Sequence, residues 1–336
     1  LKRARCFPSI ALLCVLTSAA QTNLPPQTAA APSDDASWQR YLHIIRASTL
    51  EWLPSEPFLL KVEYQLYDLD GKPSVKGTAE ESWTETNGRQ IRIQSPTLVI
   101  GDEPPVDKYA AYTRESYLVH QALRALARPF PSVIERKDFT MDEFHQSLTN
   151  SELNCFSLVQ PGTNRNPSSV AYCTDPDNRI VAMTGPLYVV EQSDFRRYRG
   201  HEVPSDLKLS YEGRPALMLR VTELDPLPAS PVLKSKPKQA PTRVPADIIS
   251  GLRLKGKEPK YPAVAKAAHI QGTVLMTGVI TAQGALAALD VVASPDKILS
   301  QSATDAVKTW TYRPYLLSGV PTEVETTINV NFAFVK

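Results

Sequence analysis

Six prolines, at positions 226, 228, 231, 237, 241 and 245, fall within Asp225–Ala246, interleaved with Lys234, Lys236, Lys238 and Arg243. Each proline fixes its own φ and brings no N–H, so the stretch can continue neither a helix nor a central strand. It reads as an extended, polyproline-like linker, and twenty residues at ~3.1 Å each would reach roughly 60 Å. This strap (225–246) separates a region from residue 37 to 224 from a compact segment, 247–336. Two folded parts agree with the soft expectation of about 150 residues per domain for a chain of 336. Hydrophobic residues make up 42% of the chain, enough for packed cores. Lys and Arg number 37 against 35 Asp and Glu, a net charge of +2, so no basic field points to nucleic acid.

The first twenty residues look like an address. Lys2, Arg3 and Arg5 precede an apolar run from Ile10 to Leu16, and Thr17-Ser18-Ala19-Ala20 supplies small residues. This is the pattern of a secretory signal peptide (1–20), with cleavage expected after Ala20. The apolar run is shorter than the ~20 residues of a spanning helix, and an uncleaved anchor is the alternative. Residues 21–36, rich in Pro, Ala and polar residues, read as a disordered lead. Export leaves Cys155 and Cys173 in the mature chain, equally far from Asn164 in the turn-rich Pro161–Pro167. A hairpin centred there sets the two cysteines opposite each other, and an oxidising compartment makes them a disulfide, worth about 3 kcal/mol. Zinc would need more ligands nearby.

The region 37–224 is mostly β. Leu60, Val62, Tyr64 and Leu66 alternate with Lys61, Glu63, Gln65 and Tyr67, the period of a strand buried on one face. Asp70-Gly71 follows as a hairpin signal. Further strands are expected at 91–94, 155–159, 170–174, 180–183, 187–191, 206–211 and 216–224, with Glu212-Gly213 turning between the last two. Asp107–Ala127 holds helix formers and stops before Pro129. The expectation is a curled antiparallel sheet with one or two helices in its concavity. The run Phe195-Arg196-Arg197-Tyr198-Arg199-Gly200, then Val203-Pro204, Leu209, Gly213 and Leu217–Val221, resembles the last strands of LolA-type periplasmic carriers. That resemblance implies a half-open barrel accommodating a lipid or other hydrophobic ligand; a curled sheet with a filled interior is the alternative.

The last ninety residues give the order αββαβ, an α+β domain with helices on one face of an antiparallel sheet. Pro262 opens a short helix that ends near His269, and Gly272 opens a strand that turns at Ala282-Gln283-Gly284. Ser294 is expected to cap the next helix, whose stripe is Leu299, Ala303, Ala306, Val307 and Trp310. In the final strand Val324, Thr326, Ile328, Val330, Phe332 and Phe334 share one face, and Glu323, Glu325, Thr327, Asn329 and Asn331 the other. Tyr261-Pro262, Ile270-Gln271-Gly272, Gly284, Ala306-Val307, Trp310, Tyr312-Arg313-Pro314, Gly319 and this strand resemble the C-terminal domain of the TonB energy-transducer family, over residues 259–334. The resemblance implies a periplasmic domain that grips a short segment of an outer-membrane TonB-dependent receptor by strand addition. The partner-binding residues it implies are Tyr261, Pro262, Glu323, Glu325, Thr327, Asn329 and Asn331. Family transducers carry a membrane anchor and a long spacer, whereas here a folded region intervenes. Glu258, too, stands where well-known transducers tend to have Gln.

Other motifs carry less. Asp68-Leu69-Asp70-Gly71 lacks the later Glu of a calcium loop and reads as a solvated turn. Ser205–Lys208 and Ser294–Lys297 match Ser-x-x-Lys without its companion motifs. The histidines at 43, 120, 145, 201 and 269 show no ligand spacing. Lys234–Lys260 carries a local charge of +6, read as a solvated tether or as a contact with the anionic cell envelope. The sequence therefore predicts a periplasmic binding protein that is not an enzyme and has no cofactor and no metal. Two alternatives remain: an inner-membrane-anchored, periplasm-facing energy transducer, and a lipid or lipoprotein carrier.

Overall fold

The computed structural model describes residues 35–50, 56–84, 88–101, 107–130, 139–148, 151–159, 170–227 and 241–334. The signal segment, most of the lead, the Pro161–Pro167 turn and the middle of the strap lie outside the described residues. In chain order the larger body comprises α1 (Asp35–Ala47), β1 (Phe58–Tyr67), β2 (Pro73–Thr84), β3 (Gly88–Gln94), β4 (Val99–Ile100) and α2 (Arg114–Ala127). It continues with β5 (Thr140–Leu148), β6 (Ser151–Val159), β7 (Ala171–Thr174), β8 (Ile180–Thr184), β9 (Tyr188–Tyr198), β10 (His201–Tyr211) and β11 (Arg214–Pro226). These strands form one eleven-stranded antiparallel sheet, ordered β4-β3-β2-β1-β11-β10-β9-β8-β7-β6-β5.

Local chemistry explains the order. The alternation of β1 buries Phe58, Leu60, Val62, Tyr64 and Leu66. Arg199-Gly200 and Glu212-Gly213, all at positive φ, close the two tight hairpins between β9, β10 and β11. Helix α2 starts later than its pattern suggests, because the Thr113 side chain accepts the Ser116 N–H and caps it there. Helix α1 was not anticipated, and it begins inside the stretch read as a disordered lead. Its Trp38, Tyr41, Ile44 and Ile45 recur at helical spacing and are buried. Together with Leu118, Val119, Ala122 and Leu123 of α2 they join Leu60, Leu207 and Leu209 of the sheet in one apolar cluster. Both helices therefore pack into the core of the sheet.

The smaller body begins with β12 (Thr242–Arg243), α3 (Ala246–Ser250), β13 (Arg253–Lys255), α4 (Ala263–Ala267), β14 (Gly272–Ile280) and β15 (Leu286–Ala293). It ends with α5 (Lys297–Val307), β16 (Thr311–Tyr312), β17 (Leu316–Leu317), β18 (Val320–Pro321) and β19 (Val324–Phe332). The sheet order is β12-β19-β14-β15. The expected αββαβ succession is α4, β14, β15, α5 and β19. Asp296, not Ser294, caps α5: its carboxylate accepts the Ile298 N–H at 2.7 Å, while Ser294 bonds Asp296 itself. At the β14–β15 turn only glycine fits, since a Cβ on Gly284 would lie 1.9 Å from the Tyr312 carbonyl oxygen.

The two bodies pack directly against each other. The Arg114 guanidinium donates to the Val292 carbonyl (2.8 Å) and the Tyr67 carbonyl (2.7 Å), and the Arg114 N–H donates to Asp290 (2.7 Å). Arg214 reaches the Ser294 and Pro295 carbonyls at 3.1 and 2.8 Å, and Lys297 pairs with Asp70 at 2.7 Å. Leu275 and Val292 of the small sheet are buried in the larger body's own apolar cluster. The strap's described end is likewise engaged: Thr242–Arg243 is a strand of the small sheet, and at its other end β11 runs on through Pro226.

Cys155 and Cys173 are register partners on β6 and β7 and are disulfide-bonded. Replacing both by alanine should lower the unfolding free energy by about 3 kcal/mol, read from urea denaturation of oxidised protein. Arg114→Ala strips two carbonyls of their donor at a part-buried interface, and a loss of about 3 kcal/mol is expected. Arg114→Lys should recover little of it, because an ammonium cannot span both carbonyls as the guanidinium does.

Candidate functional site

The candidate site is the outer edge of β19. One side of this strand is fully used: β14 pairs with it from Gly272↔Phe332 to Ile280↔Val324. On the other side β12 runs parallel and covers only Val324 and Glu325. The Thr242 and Val244 N–H groups donate to the Glu323 and Glu325 carbonyls at 3.0 and 2.9 Å. The Thr326 hydroxyl then takes the Val244 carbonyl at 2.8 Å, and Pro245 leads the chain away into α3. Backbone groups alternate in direction along a strand, so Thr327, Asn329 and Asn331 point theirs the same way as Glu323 and Glu325. Among the described residues no strand pairs with that part of the edge.

The open edge lies in a groove of about 930 Å³ between the two bodies. Tyr117, Leu187, Tyr188 and Tyr211 of the larger body form one wall, and α3, Trp310 and Tyr312 the other. Trp310 is held by its indole N–H on the Lys257 carbonyl (2.8 Å) and by the Arg253 guanidinium 4.3 Å from its ring centre. Burial pushes the Tyr188 and Tyr312 phenols up to about 12 and also raises Tyr117 and Tyr211. The tyrosine wall is thus uncharged at neutral pH, while Asp247 and Arg253 bring charge to the opposite wall. Tyr188 and Tyr211 also border a second hollow of about 360 Å³, lined by Phe139, Leu158, Val170, Met183 and neighbours.

The structure gathers only some of the residues the sequence singled out. Thr327, Asn329 and Asn331 line the groove, and Asn329 and Asn331 are exposed. Glu323 is taken by Lys108 (2.9 Å) and the Tyr109 hydroxyl (2.8 Å), and Glu325 by Arg243 (2.8 Å). Tyr261 donates to the Ile270 carbonyl at 2.7 Å and sets its ring against Phe332 and Phe334, while Pro262 opens α4. Neither residue lines the groove. The tyrosine wall escaped sequence reading because its members come from α2, β9 and β10, a hundred or more residues from β19, with no motif linking them. Trp310 was visible, but as part of a buried helix stripe.

The other motifs are accounted for locally. Ser205 accepts from Arg196 (2.9 Å) and Lys208 pairs with Glu191 (2.7 Å), so this serine and lysine serve different partners. Asp68 accepts the Asp70 and Lys72 N–H groups within its turn. His120 bonds the Ser116 carbonyl through Nδ1 at 2.7 Å, and burial pushes its imidazole down, which keeps it neutral. Among the described residues there is no cluster of three or more metal-ligating side chains, and no helix long and apolar enough to cross a membrane.

The chain is similar in part to known proteins. Residues 257–334 match the family described as Gram-negative bacterial TonB protein C-terminal. Protein TonB of Vibrio cholerae is 34% identical over 76 residues, which are 22% of this chain and 31% of that protein. The match therefore spans about a third of its relative's length. Solved structures similar to the chain include a putative outer membrane lipoprotein-sorting protein domain from Vibrio parahaemolyticus, at 9% identity and a TM-score of 0.34. It covers 58% of this chain and 92% of its own. A LolA superfamily protein from Nitrosomonas europaea shows 10% identity and a TM-score of 0.31, covering 56% and 94%. The segment that forms α4, α5 and the paired strands β14, β15 and β19, the open edge included, is thus a match to the TonB C-terminal family.

Proposed function

We propose that this protein is an exported, non-enzymatic binding protein that takes an extended partner segment as an added strand along Thr327–Asn331. The observation that carries the reading is the row of outward backbone groups on β19, set in a groove and left without a strand neighbour among the described residues. An added strand satisfies those N–H and C=O groups, each bond contributing about 0.5–1.5 kcal/mol net, while side chains meet the walls. The TonB resemblance supports an N-terminal segment of an outer-membrane receptor as the partner and the periplasm as the compartment. The usable edge is shorter than the sequence suggests. Glu323 and Glu325 are engaged within the chain, so the docking stretch contracts to five residues.

A photo-crosslinking residue placed at position 331 of the full chain, mixed with solubilised outer-membrane proteins, tests the reading. Adducts should map by mass spectrometry to N-terminal segments of outer-membrane receptors. Asn329→Pro in that background removes one outward N–H and spares the bonds to β14, so adducts should fall at least about tenfold. Asn329→Ala should keep them. Equal yields from the proline and alanine variants, with both folded by circular dichroism, would count against strand addition.

A further inference from the structure

The groove is built from both bodies, and its walls differ in chemistry from the edge they enclose. We propose that the larger body is a co-receptor: the bound segment carries one large apolar side chain, aromatic, Leu or Met, that seats against the tyrosine wall. This rests on strand addition at Thr327–Asn331 and adds to it the identity of the side chain selected. The occupant is a foreign extended peptide, placed by continuity with the β12–β19 pairing. The outward carbonyls that accept Thr242 and Val244 belong to the same series that runs on through Thr327, Asn329 and Asn331.

Side chains of any strand added there alternate between the two faces of the small sheet. Those on the face shared with Asn329 and Asn331 point at the larger body, where Leu187 and the rings of Tyr188 and Tyr211 stand. The two rings lie 6.1 Å apart, and behind them is the 360 Å³ hollow, a volume within the ~300–1,000 Å³ of ordinary ligand pockets. Tyr188 and Tyr211 line both the groove and the hollow, so the apolar wall continues from one to the other. Against the phenols of Tyr188 and Tyr211 a carboxylate or ammonium group would lose water, the charges on the lining being Arg124 in the hollow and Asp247 and Arg253 across the groove. The bonds of Arg114 and Arg214 across the bodies fix the gap before the segment arrives, which lowers the ordering cost of binding.

The test is selection of random displayed heptapeptides on immobilised full chain, followed by fluorescence-anisotropy titration of the enriched sequences. Selected peptides should share one Trp, Phe, Leu or Met, and replacing it by Ala should weaken binding at least about tenfold. Leu187→Lys should cause a similar loss on its own and abolish the effect of the peptide's alanine change. Leu158→Trp, which fills the hollow without a charge, gives a second reading should Leu187→Lys unfold the wall. Peptides lost on Asn329→Pro yet indifferent to both wall variants, with no apolar requirement, overturn the co-receptor role and leave strand addition standing. Peptides indifferent to Asn329→Pro, or no enrichment at all, overturn both.

Discussion

The guanidinium of Arg114 holds the arrangement together. It sits at the first turn of α2 and bonds a carbonyl of each body, Tyr67 in the large sheet and Val292 in the small one. Burial works against its charge, and Asp290 favours it. A cation in that position is tolerable only with its donors satisfied, so the alignment of β1, α2 and β15 is specified by geometry as well as by apolar area. Leu275 and Val292 then extend the larger body's core across the boundary. With the Arg214 and Lys297 contacts, this junction sets the small sheet against the larger body and turns the Asn329 face of β19 toward the tyrosines.

A direct junction changes what the proline-rich strap does. Read alone, it promises a long tether and two bodies free of one another. Its described end instead lies along β19, with Arg243 on Glu325 and Thr242 on the Glu323 carbonyl. Lys108 and Tyr109 take the Glu323 carboxylate at the same end. Two separate segments therefore converge on the start of one strand and stop there.

The regular parts were legible because they obey short-range rules. Strict alternation in β1 and β19 specified which faces are buried, and the placement of turn residues about Asn164 was enough to pair Cys155 with Cys173. Helix α1 was missed although its pattern of Trp38, Tyr41 and Ile45 is helical, since the proline- and alanine-rich lead before it drew the reading toward disorder. The cap of α5 moved by two residues because Ser294 and Asp296 are both competent and only the turn geometry chooses between them. The groove was beyond sequence reading for a different reason. Tyr188 and Tyr211 are ordinary strand residues until a second body is set beside them, and that placement depends on Arg114.

An exposed strand edge is also a hazard, since any other sheet edge can pair with it. Here the hazard is limited by the features that define the site. Strand β12 ends the open stretch on one side, and the strand itself ends at Phe332 on the other. Tyr188 and Trp310 both line the groove that holds the open stretch, and an added strand needs only ~4.8 Å beside its neighbour. The short open stretch and the walls around it thus limit the hazard, and the choice among added strands is left to the side chains that meet those walls.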